Sequence, residues 1–362
     1  MATMKQVINI PGPEVKVKIN SAPIPQPGSR QVLIKVVVSG SNPKDWKCAE
    51  WAADYDGPAD SMLGKSKLGI NQGDDIAGIV EKVGDDVVEF KPGDRVAAFH
   101  EMGEPGGSYA EYAIAWDYTT FHIPASTSFE EAATIPLAAL TAVIALYHNL
   151  KLPTPWSPAT APLPLVVYGA STAVGAFALK LARNSNIHPI IAIAGNGKDY
   201  VETLVDRSKG DIVVDYREGN DAMISQIRNH LKKGGYGEPQ HGLDPGIGVH
   251  SKKVLDEIVA ADGAINLVLP SDWSTISAVK TTTSVGISHG ADRDTWEGNA
   301  SNLAFVFSRW FTRGLQLGNF QGHPFEIRSN GLEGVEQALK DLKDGKASAV
   351  KYVFRIRDTP SI

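Results

Sequence analysis

Short apolar runs separated by Gly, Pro and Asp fill the first third of the chain. Between residue 1 and about residue 125 they include "QVLIKVVVSG", "GDDIAGIVEKVGDDVVEFKPGDRVAAF" and "GSYAEYAIAW". Runs of strand length with turn residues between them predict β-strands. We therefore predict that the N-terminal part of the chain folds as an all-β, partly barrel-like unit.

The pattern changes near Ser128. That residue is followed three positions later by Glu131, which is the spacing of a helix capping box, and an apolar helical run starts there. From residue 163 to residue 288, the apolar runs "LPLVVYG", "PIIAIAG", "DIVVDY" and "AINLVLP" alternate with helical stretches. Strands and helices in alternation predict an α/β unit with a doubly wound parallel sheet.

The last part of the chain returns to a strand pattern. Two helical stretches, "NLAFVFSRWFTRGLQL" and "GLEGVEQALKDLKDG", are followed by the strand-like "SAVKYVFRI". We expect this final strand to join the N-terminal β-rich unit, which makes that domain discontinuous. The expected division is residues 1–128 with 300–362 for the β-rich domain, and 129–299 for the parallel-sheet domain.

Composition narrows the range of functions. The 362 residues carry a formal net charge of −6, which gives no electrostatic reason to bind nucleic acid or an anionic membrane. Cys48 is the single cysteine, so the chain can form no internal disulfide and no site of several thiolates. The N-terminal segment lacks the apolar centre of a signal peptide, and the apolar run Thr134–Tyr147 is shorter than a bilayer span. We expect a soluble, cytoplasmic protein with no membrane partner.

The stretch "VVYGASTAVGAFALKLA" joins a strand pattern to a helix pattern through a turn that holds Gly169 and Gly175. A dinucleotide-binding turn usually has three glycines, and here Ala170 and Thr172 stand at the first two positions. The amino end of the following helix still offers N–H groups to a phosphate, and Ser171 and Thr172 add hydroxyl donors. We interpret the turn as a nucleotide site; a purely structural βα turn is the alternative.

Four segments of the chain resemble one enzyme family. "GASTAVGA" resembles the G-A-S/A-G-G-V-G turn of the quinone oxidoreductase and enoyl reductase branch of the medium-chain dehydrogenase/reductase superfamily, and "GDDIAGIVEKVGDDVVEFKPGDRV", "SGSNPKDWK" and "DYRE" resemble three further signatures of that branch. The Ser171-Thr172 turn, the Pro-rich insert "LKLPTPWSPATAPLP" and the ending "SAVKYVFRI" look most like the trans-acting enoyl reductases of fungal polyketide and toxin clusters. The resemblance implies a GroES-like β-barrel domain and a Rossmann domain.

The metal ligands of the zinc-dependent members of that superfamily are not matched. Gly73, Asp74 and Asp75 stand where those members have G-H-E, and Cys48 lies a few residues past the expected ligand position. Catalytic zinc needs three N, S or O ligands from the protein. We therefore expect no metal, and reduction of an activated alkene rather than metal-assisted oxidation of an alcohol.

The resemblance implies a nicotinamide cofactor, and the residues favour NADPH. An acid that would hold the ribose 2′-hydroxyl of NAD is missing after the second strand, where Gly195, Asn196 and Lys198 stand instead. Lys198 and Tyr216 match family positions that contact the 2′-phosphate; for Lys198 a solvated first-turn lysine is the alternative, and a role for Arg217 is left open. The predicted cofactor site comprises Thr141, Gly169, Ser171, Thr172, Ala173, Val174, Gly195, Asn196, Lys198, Tyr216, Leu267 and Leu269.

The resemblance places the nicotinamide end of the site near Asn42, Lys47 and Thr141, our predicted catalytic residues. The alternatives are a surface lysine for Lys47 and a core helix threonine for Thr141. His100, in a Gly-rich segment, is expected at the edge of a cleft rather than in catalysis.

We predict an NADPH-dependent, zinc-independent reductase that transfers hydride to the β-carbon of an α,β-unsaturated carbonyl, such as an enoyl chain bound to the carrier of a polyketide synthase. A stand-alone quinone or alkenal reductase is the second hypothesis. A protein that binds NADPH without catalysing a reaction is the non-enzymatic alternative. Either a monomer or a homodimer fits: family dimers form at the sheet edge near "AINLVLP" and "TTTSVGIS", but the polar "PSDWST" and "SHGADRD" also suit the edge of a monomer.

Overall fold

The computed structural model describes residues 2–246, 249–269, 278–290, 298–360 and 362. The segment "PSDWST" and the last four residues of "SHGADRD" lie outside the described residues. The chain divides into two compact units, one of Met1–Leu137 with Gly286–Ile362 and one of Ala138–Val285.

The strands are short and numerous in both units. They are β1 (Thr3–Ile10), β2 (Lys16–Pro23), β3 (Gln31–Gly40), β4 (Asp75–Val83), β5 (Arg95–Phe99), β6 (Tyr112–Trp116), β7 (Thr120–His122), β8 (Leu165–Tyr168), β9 (Ile190–Ala194), β10 (Ile212–Asp215), β11 (His241–Asp244), β12 (Ala264–Leu267), β13 (Val279–Thr282), β14 (Phe325–Arg328) and β15 (Lys351–Arg355).

Most of the helices lie in the middle and last parts of the chain, and two lie in the first part. They are α1 (Pro43–Ala53), α2 (Met62–Ser66), α3 (Phe129–Ala132), α4 (Pro136–Val143), α5 (Ala173–Asn184), α6 (Lys198–Glu202), α7 (Asn220–Gly234), α8 (Val249–Ile258), α9 (Ser301–Leu317) and α10 (Val335–Lys343). A π-helical segment, Ile144–Asn149, continues α4, and 3-10 turns cover Asp117–Thr119, Arg207–Lys209, Tyr216–Glu218, Val285–His289, Gly331–Gly334 and Ile356–Asp358.

The first unit is built on a seven-stranded sheet. Its order is β14-β15-β3-β4-β5-β7, and β6 pairs with β3 off this path, while β1 and β2 form a separate antiparallel pair. Strand β15 comes from the end of the chain and pairs antiparallel with β3, as the sequence predicted for "SAVKYVFRI". Alternate side chains of β3 and β4, such as Ile34 and Ile76, are fully buried and form the core with Phe354.

The second unit contains a parallel six-stranded sheet of order β10-β9-β8-β11-β12-β13. Because β8 is followed by β9 on one side and later by β11 on the other, the direction of winding reverses between β8 and β11. Loops at the carboxyl ends of the strands separate at such a reversal, which is where α/β sheets bind ligands. The predicted α/β fold class, with a β-rich domain and a doubly wound parallel sheet, is confirmed.

Two parts of the fold differ from the sequence expectation. The N-terminal unit is not all β, because α1 and α2 follow β3; Asn42 precedes Pro43 at the first helical position, which is a common helix start. The unit boundaries also differ from 128 and 300. The Leu137 N–H donates to Asp75 Oδ1 at 2.7 Å, and the ring of His289 packs 4.7 Å from that of Phe99, so both segments belong to the first unit.

The apolar stretch around α4 is longer than the sequence run indicated. Residues Phe129–Asn149 form a 21-residue helical stretch that is long and apolar enough to cross a membrane by length and composition. In the most apolar window of this stretch, 83% of the residues are buried inside the protein. This burial is typical of a core helix.

The contact between α5 and β8 requires a glycine. A Cβ atom placed on Gly175 would lie 2.4 Å from the backbone oxygen of Gly169 and 2.9 Å from the Cα atom of Ala170. Cβ atoms in proteins essentially never lie this close to non-bonded backbone atoms, so a side chain at this position would push the helix away from the sheet.

We expect Gly175→Ala to lower the free energy of unfolding by about 1–3 kcal/mol, because the added methyl group meets rigid backbone. Chemical denaturation without cofactor measures the change. Gly237→Ala is the matched control, since a Cβ atom there has no neighbour within 4 Å. A Gly175→Ala protein as stable as Gly237→Ala would contradict the close packing.

Candidate functional site

The turn after β8 keeps the conformations that need glycine. Gly169 has φ of 82°, in the left-handed region, and its N–H donates to the Ile193 oxygen at 2.9 Å. The Thr172 hydroxyl accepts from the Gly175 N–H at 3.1 Å and donates to the Gly169 oxygen at 2.8 Å. Thr172 is therefore the N-cap of α5, and in this conformation its hydroxyl proton is donated to the Gly169 oxygen. The predicted contact of this hydroxyl with a phosphate stays a prediction.

The remaining groups of the turn lie at the start of α5. Ala173 and Val174 occupy its first two positions, where backbone N–H groups have no acceptor within the helix. Ser171 precedes the cap and is partly exposed. These N–H groups can donate hydrogen bonds to a phosphate, and the positive end of the helix dipole attracts its negative charge.

The loops after β9 and β10 meet beside this turn. A Cβ atom on Gly195 would lie 2.3 Å from the Tyr216 ring, so the ring lies directly against the glycine. The Tyr216 ring is also stacked with that of Tyr168, with centroids 6.5 Å apart. Lys198, half-buried, is the first residue of α6, and Asn196 is exposed beside it. The structure thus brings Gly195, Asn196, Lys198 and Tyr216 together at the carboxyl edge of the sheet.

Arg217 is held in place by an acid. Its Nε and Nη2 donate to the two carboxylate oxygens of Asp215 at 2.8 and 2.6 Å, and its Nη1 donates to Asn196 Oδ1 at 3.0 Å. The hydrogen bonds from Arg217 hold the pKa of Asp215 well below its usual range. Arg217 therefore links the loops after β9 and β10, a role that the sequence left open.

Three predicted residues of the second unit lie away from these loops. Leu267 is buried at the end of β12, and Leu269 is half-buried just beyond it. Thr141 is buried in α4, whose π-helical continuation packs against β12 and β13. Leu267 is two strands from β8, on the same edge of the sheet as the turn.

Asn42, in the first unit, belongs to a buried hydrogen-bond network. Its Nδ2 donates to Asp75 Oδ2 at 2.7 Å, and its Oδ1 accepts from Lys351 Nζ at 2.9 Å. Lys351 Nζ also lies 2.5 Å from Asp75 Oδ2. Asn42 is 4% exposed, so its amide is held in one orientation. Lys351 was not found from the sequence, because it is far along the chain and no local motif marks it.

A second lysine, Lys44, faces two further buried acids. Its Nζ contacts Asp74 Oδ2, lies 3.3 Å from Asp45 Oδ1, and donates to the Gln72 oxygen at 2.5 Å. Tyr109 donates its hydroxyl to Asp45 Oδ2 at 2.6 Å. Burial raises the pKa of Asp45 to about 7 and that of Asp74 to about 6, against the lowering effect of Lys44.

The predicted catalytic Lys47 lies outside this cluster. Its Nζ is 5.5 Å from the centre of the Trp46 ring, and partial burial lowers its pKa. Cys48 is buried, and burial raises the pKa of its thiol to about 11, which suits packing rather than reaction. Both ring nitrogens of His100 lie within 3.0 Å of backbone oxygens, so its side chain is engaged in hydrogen bonds to the neighbouring backbone.

The residues at the position of the zinc ligands do not fit zinc. Among the residues that the structure describes, no group of three or more His, Cys, Asp or Glu side chains is arranged to hold a metal ion. Asp74 is in contact with the Lys44 ammonium instead, and a divalent cation placed there would be repelled by it.

A dinucleotide, in contrast, fits the second unit. The close approach at Gly175, the left-handed Gly169 and the free N–H groups of α5 form the kind of cradle that a pyrophosphate needs. After β9 the Tyr216 ring lies against Gly195, and the half-buried Lys198 follows with no acid between them. Gly169, Ser171, Ala173 and Val174 would hold such a cofactor on the phosphate side.

The buried acids make stability depend on pH. The folded pKa of Asp45, about 7, lies above the value of about 3.9 for an unfolded chain. Between the two, the folded protein holds a proton that the unfolded chain has lost, so stability falls as pH rises. We expect the free energy of unfolding of Asp45→Asn, minus that of the wild type, to rise by about 2 kcal/mol from pH 5 to pH 7.

Denaturant titrations across this pH range test the expectation, with the exposed Asp85→Asn as control. For the control, the difference from the wild type should be flat. The raised pKa of Asp45 would be refuted by an equally flat difference for Asp45→Asn.

Comparison with known proteins agrees with this architecture. Residues 28–125 match the alcohol dehydrogenase GroES-like domain family. The chain is 42% identical over 333 residues to trans-enoyl reductase fsr4 of Gibberella fujikuroi, covering 90% of this chain and 91% of that protein. It is 32% identical over 215 residues to quinone oxidoreductase of Rattus norvegicus, covering 59% of each chain.

A solved structure gives the same fold. The crystal structure of CurK enoyl reductase superposes with a TM-score of 0.72 at 18% identity, covering 96% of this chain and 98% of that chain. The β-rich unit, the parallel-sheet unit and the extent of the sequence match all agree, and the chain therefore belongs to the medium-chain dehydrogenase/reductase superfamily of oxidoreductases, with fungal trans-enoyl reductases and quinone oxidoreductases among its relatives.

Proposed function

We propose that the protein is an NADPH-dependent, zinc-independent reductase of activated C=C bonds, with enoyl thioesters on a polyketide carrier as its substrates. The observation that carries the proposal is the group of loops at the carboxyl edge of the parallel sheet, where the glycine turn, Lys198 and Tyr216 lie together. The similarity over 90% of the chain to a protein named trans-enoyl reductase supports the substrate class.

The preference for NADPH rests on charge. Lys198 lies at the start of α6 with no acid at the preceding positions Asn196 and Gly197, so a 2′-phosphate meets an ammonium rather than a carboxylate. Arg217 adds its charge, although Asp215 partly offsets it. Tyr216, 43% exposed, offers a flat face to the adenine and a hydroxyl to the phosphate.

NADPH supplies a hydride when bound, and the protein orients the alkene and handles the proton. Asn42 is fixed by Asp75 and Lys351 and donates its second amide N–H to the carbonyl oxygen of the substrate. Lys47, whose pKa is lowered by burial, gives its proton up more easily than an exposed lysine and protonates the α-carbon. Thr141 positions the cofactor from α4.

A quinone or alkenal reductase is the second candidate, favoured by the 32% identity to the rat quinone oxidoreductase. The two proposals differ in whether the substrate is free or bound to a carrier. Rapid turnover of free quinones or small enals, with none of carrier-bound enoyl chains, would favour this second candidate. Binding of NADPH without oxidation by any enal, enone, quinone or enoyl thioester would instead favour the non-catalytic alternative.

We expect Lys198→Ala to weaken NADPH binding at least about tenfold, because one charge-assisted contact is lost, and to leave NADH binding unchanged. Fluorescence titration of the purified protein measures both dissociation constants. Lys232→Ala, an exposed lysine on α7, is the matched control. Equal affinity of the wild type for NADPH and NADH would refute the proposed preference for NADPH.

We expect Lys47→Met to reduce kcat for a crotonyl thioester by about 100-fold, since removal of a proton donor costs this much or more. NADPH affinity should not change, which separates a lost proton donor from a damaged fold. Lys18→Met, an exposed lysine of β2, serves as control. If Lys47→Met and Lys18→Met keep the same kcat, Lys47 has no part in the chemistry.

A further inference from the structure

Three neighbouring strands of the parallel sheet end in a row of residues whose outer two members carry rings. In the order of the sheet, β8 ends at Tyr168, β9 is followed by Gly195, and β10 is followed by Tyr216. The parallel register of the three strands places these residues at the same edge of the sheet. A glycine therefore stands between two tyrosines.

The glycine allows the ring of Tyr216 to reach across the middle of the row. The three atoms nearest to a Cβ atom placed on Gly195 all belong to Tyr216, two of them carbons of its ring and the third its hydroxyl oxygen. Non-bonded atoms do not approach this closely, so the ring lies where any other residue would have its side chain. There it stacks with Tyr168, with centroids 6.5 Å apart and an interplanar angle of 20°.

The protein holds the two tyrosines in different ways. Tyr168 is half-buried and packs against the apolar core of the second unit. Tyr216 is 43% exposed and begins a 3-10 turn, in which Asp215 Oδ1 accepts from the Arg217 N–H at 3.0 Å. The turn fixes the backbone of Tyr216, whereas the direction of its ring is set by the contacts with Gly195 and Tyr168.

Tyr168 keeps its hydroxyl proton at neutral pH. Burial, with a smaller contribution from Asp244, raises the pKa of Tyr168 to about 12. The side chain is therefore uncharged, and it adds no negative charge near the phosphate that NADPH would place beside Tyr216.

A ring that is already in place binds a ligand more tightly than a ring that must first be ordered. An exposed tyrosine can rotate about its side-chain torsions, and fixing these torsions during binding lowers the affinity. Stacking on Tyr168 fixes the Tyr216 ring in the free protein, and the stacking of two aromatic rings is strong enough to change an equilibrium about two- to tenfold. The affinity for a ligand of Tyr216 therefore depends on Tyr168, even where Tyr168 does not touch the ligand.

We propose that Tyr168 is a positioning residue of the cofactor site, which holds the Tyr216 ring across Gly195 in the orientation that receives the adenosine 2′-phosphate end of NADPH. The identity of the ligand rests on the proposed function. Tyr168 acts through Tyr216, so a side chain without a ring at position 168 leaves the Tyr216 ring free to turn away from the cofactor.

A double-mutant cycle on the full-length protein tests this role, with fluorescence titration of NADPH as the measurement. We expect Tyr168→Leu to weaken NADPH binding about fivefold, and Tyr168→Phe, which keeps the ring, to bind as the wild type does. In a Tyr216→Leu background, Tyr168→Leu should have no further effect, because no ring is left to position. Wild-type affinity of Tyr168→Leu, or a loss of the same size in both backgrounds, would overturn the proposal.

Gly195→Ala disturbs the same ring from its other side and leaves Tyr168 unchanged. Because the added methyl group must displace Tyr216, NADPH binding should weaken at least as much as in Tyr168→Leu, and the loss should disappear in the Tyr216→Leu background. Gly237→Ala is the matched control, since a Cβ atom there has no neighbour within 4 Å. If Gly195→Ala binds NADPH as tightly as Gly237→Ala, the orientation of the Tyr216 ring has no bearing on the cofactor and the proposal is wrong.

The stacked pair is also observable without cofactor, by fluorine NMR of protein labelled with 3-fluorotyrosine. Tyr216→Phe identifies the Tyr216 signal, which should differ from that of free fluorotyrosine in the wild type and in Tyr168→Phe, and should move towards it in Tyr168→Leu. A Tyr216 signal at the free value in the wild type would refute the positioning role. If the signals behave as expected but the wild type binds no NADPH, the proposed function fails and the positioning of Tyr216 by Tyr168 stands.

Discussion

Asp75 is the point at which three distant parts of the first unit are joined. Its Oδ2 accepts from Asn42 at the start of α1 and contacts Lys351 on β15, while its Oδ1 accepts from Leu137 at the start of α4. All of these groups are buried, and removing one member of a buried ion pair leaves an uncompensated charge that costs about 3–5 kcal/mol. The orientation of the Asn42 amide depends on this carboxylate and on the Lys351 ammonium that pairs with it.

Lys44 extends the same principle to the neighbouring acids. Within the described part of the chain, Asp45, Asp74 and Asp75 face two ammonium groups, those of Lys44 and Lys351. Three carboxylates therefore share two positive charges, and burial favours uptake of a proton by Asp45 and Asp74. Zinc-dependent members of the superfamily place a metal cation near the position of Asp74. In this chain the ammonium of Lys44, on α1, contacts Asp74.

The sequence predicts most of the fold and part of the site. Strand β3 has the same bounds as the apolar run that indicated it, and β8 and β9 are continuous apolar runs that only a buried strand or a core helix explains. Helix α1 was missed because its buried face consists of one acid and three small residues, Asp45, Cys48, Ala49 and Ala52, so the helical spacing carries little apolar signal. Pairing of Lys351 with Asp75 spans 276 positions, and no local pattern marks contacts of that kind. Likewise, no pattern shows that Lys44, rather than Lys47, meets the acids.

The glycine-poor turn shows why a motif can fail while its geometry persists. Only two conditions in the turn require glycine: a left-handed backbone, met by Gly169, and close contact of helix and strand, met by Gly175. Thr172 can replace a motif glycine because its hydroxyl bonds the backbone on both sides of the turn. Since that hydroxyl is used within the protein, the proposed cofactor site relies on the backbone N–H groups of α5 and on Ser171 for contact with a phosphate. A search for three glycines therefore tests residue identity, whereas this structure requires glycine at only two positions of the turn, Gly169 and Gly175.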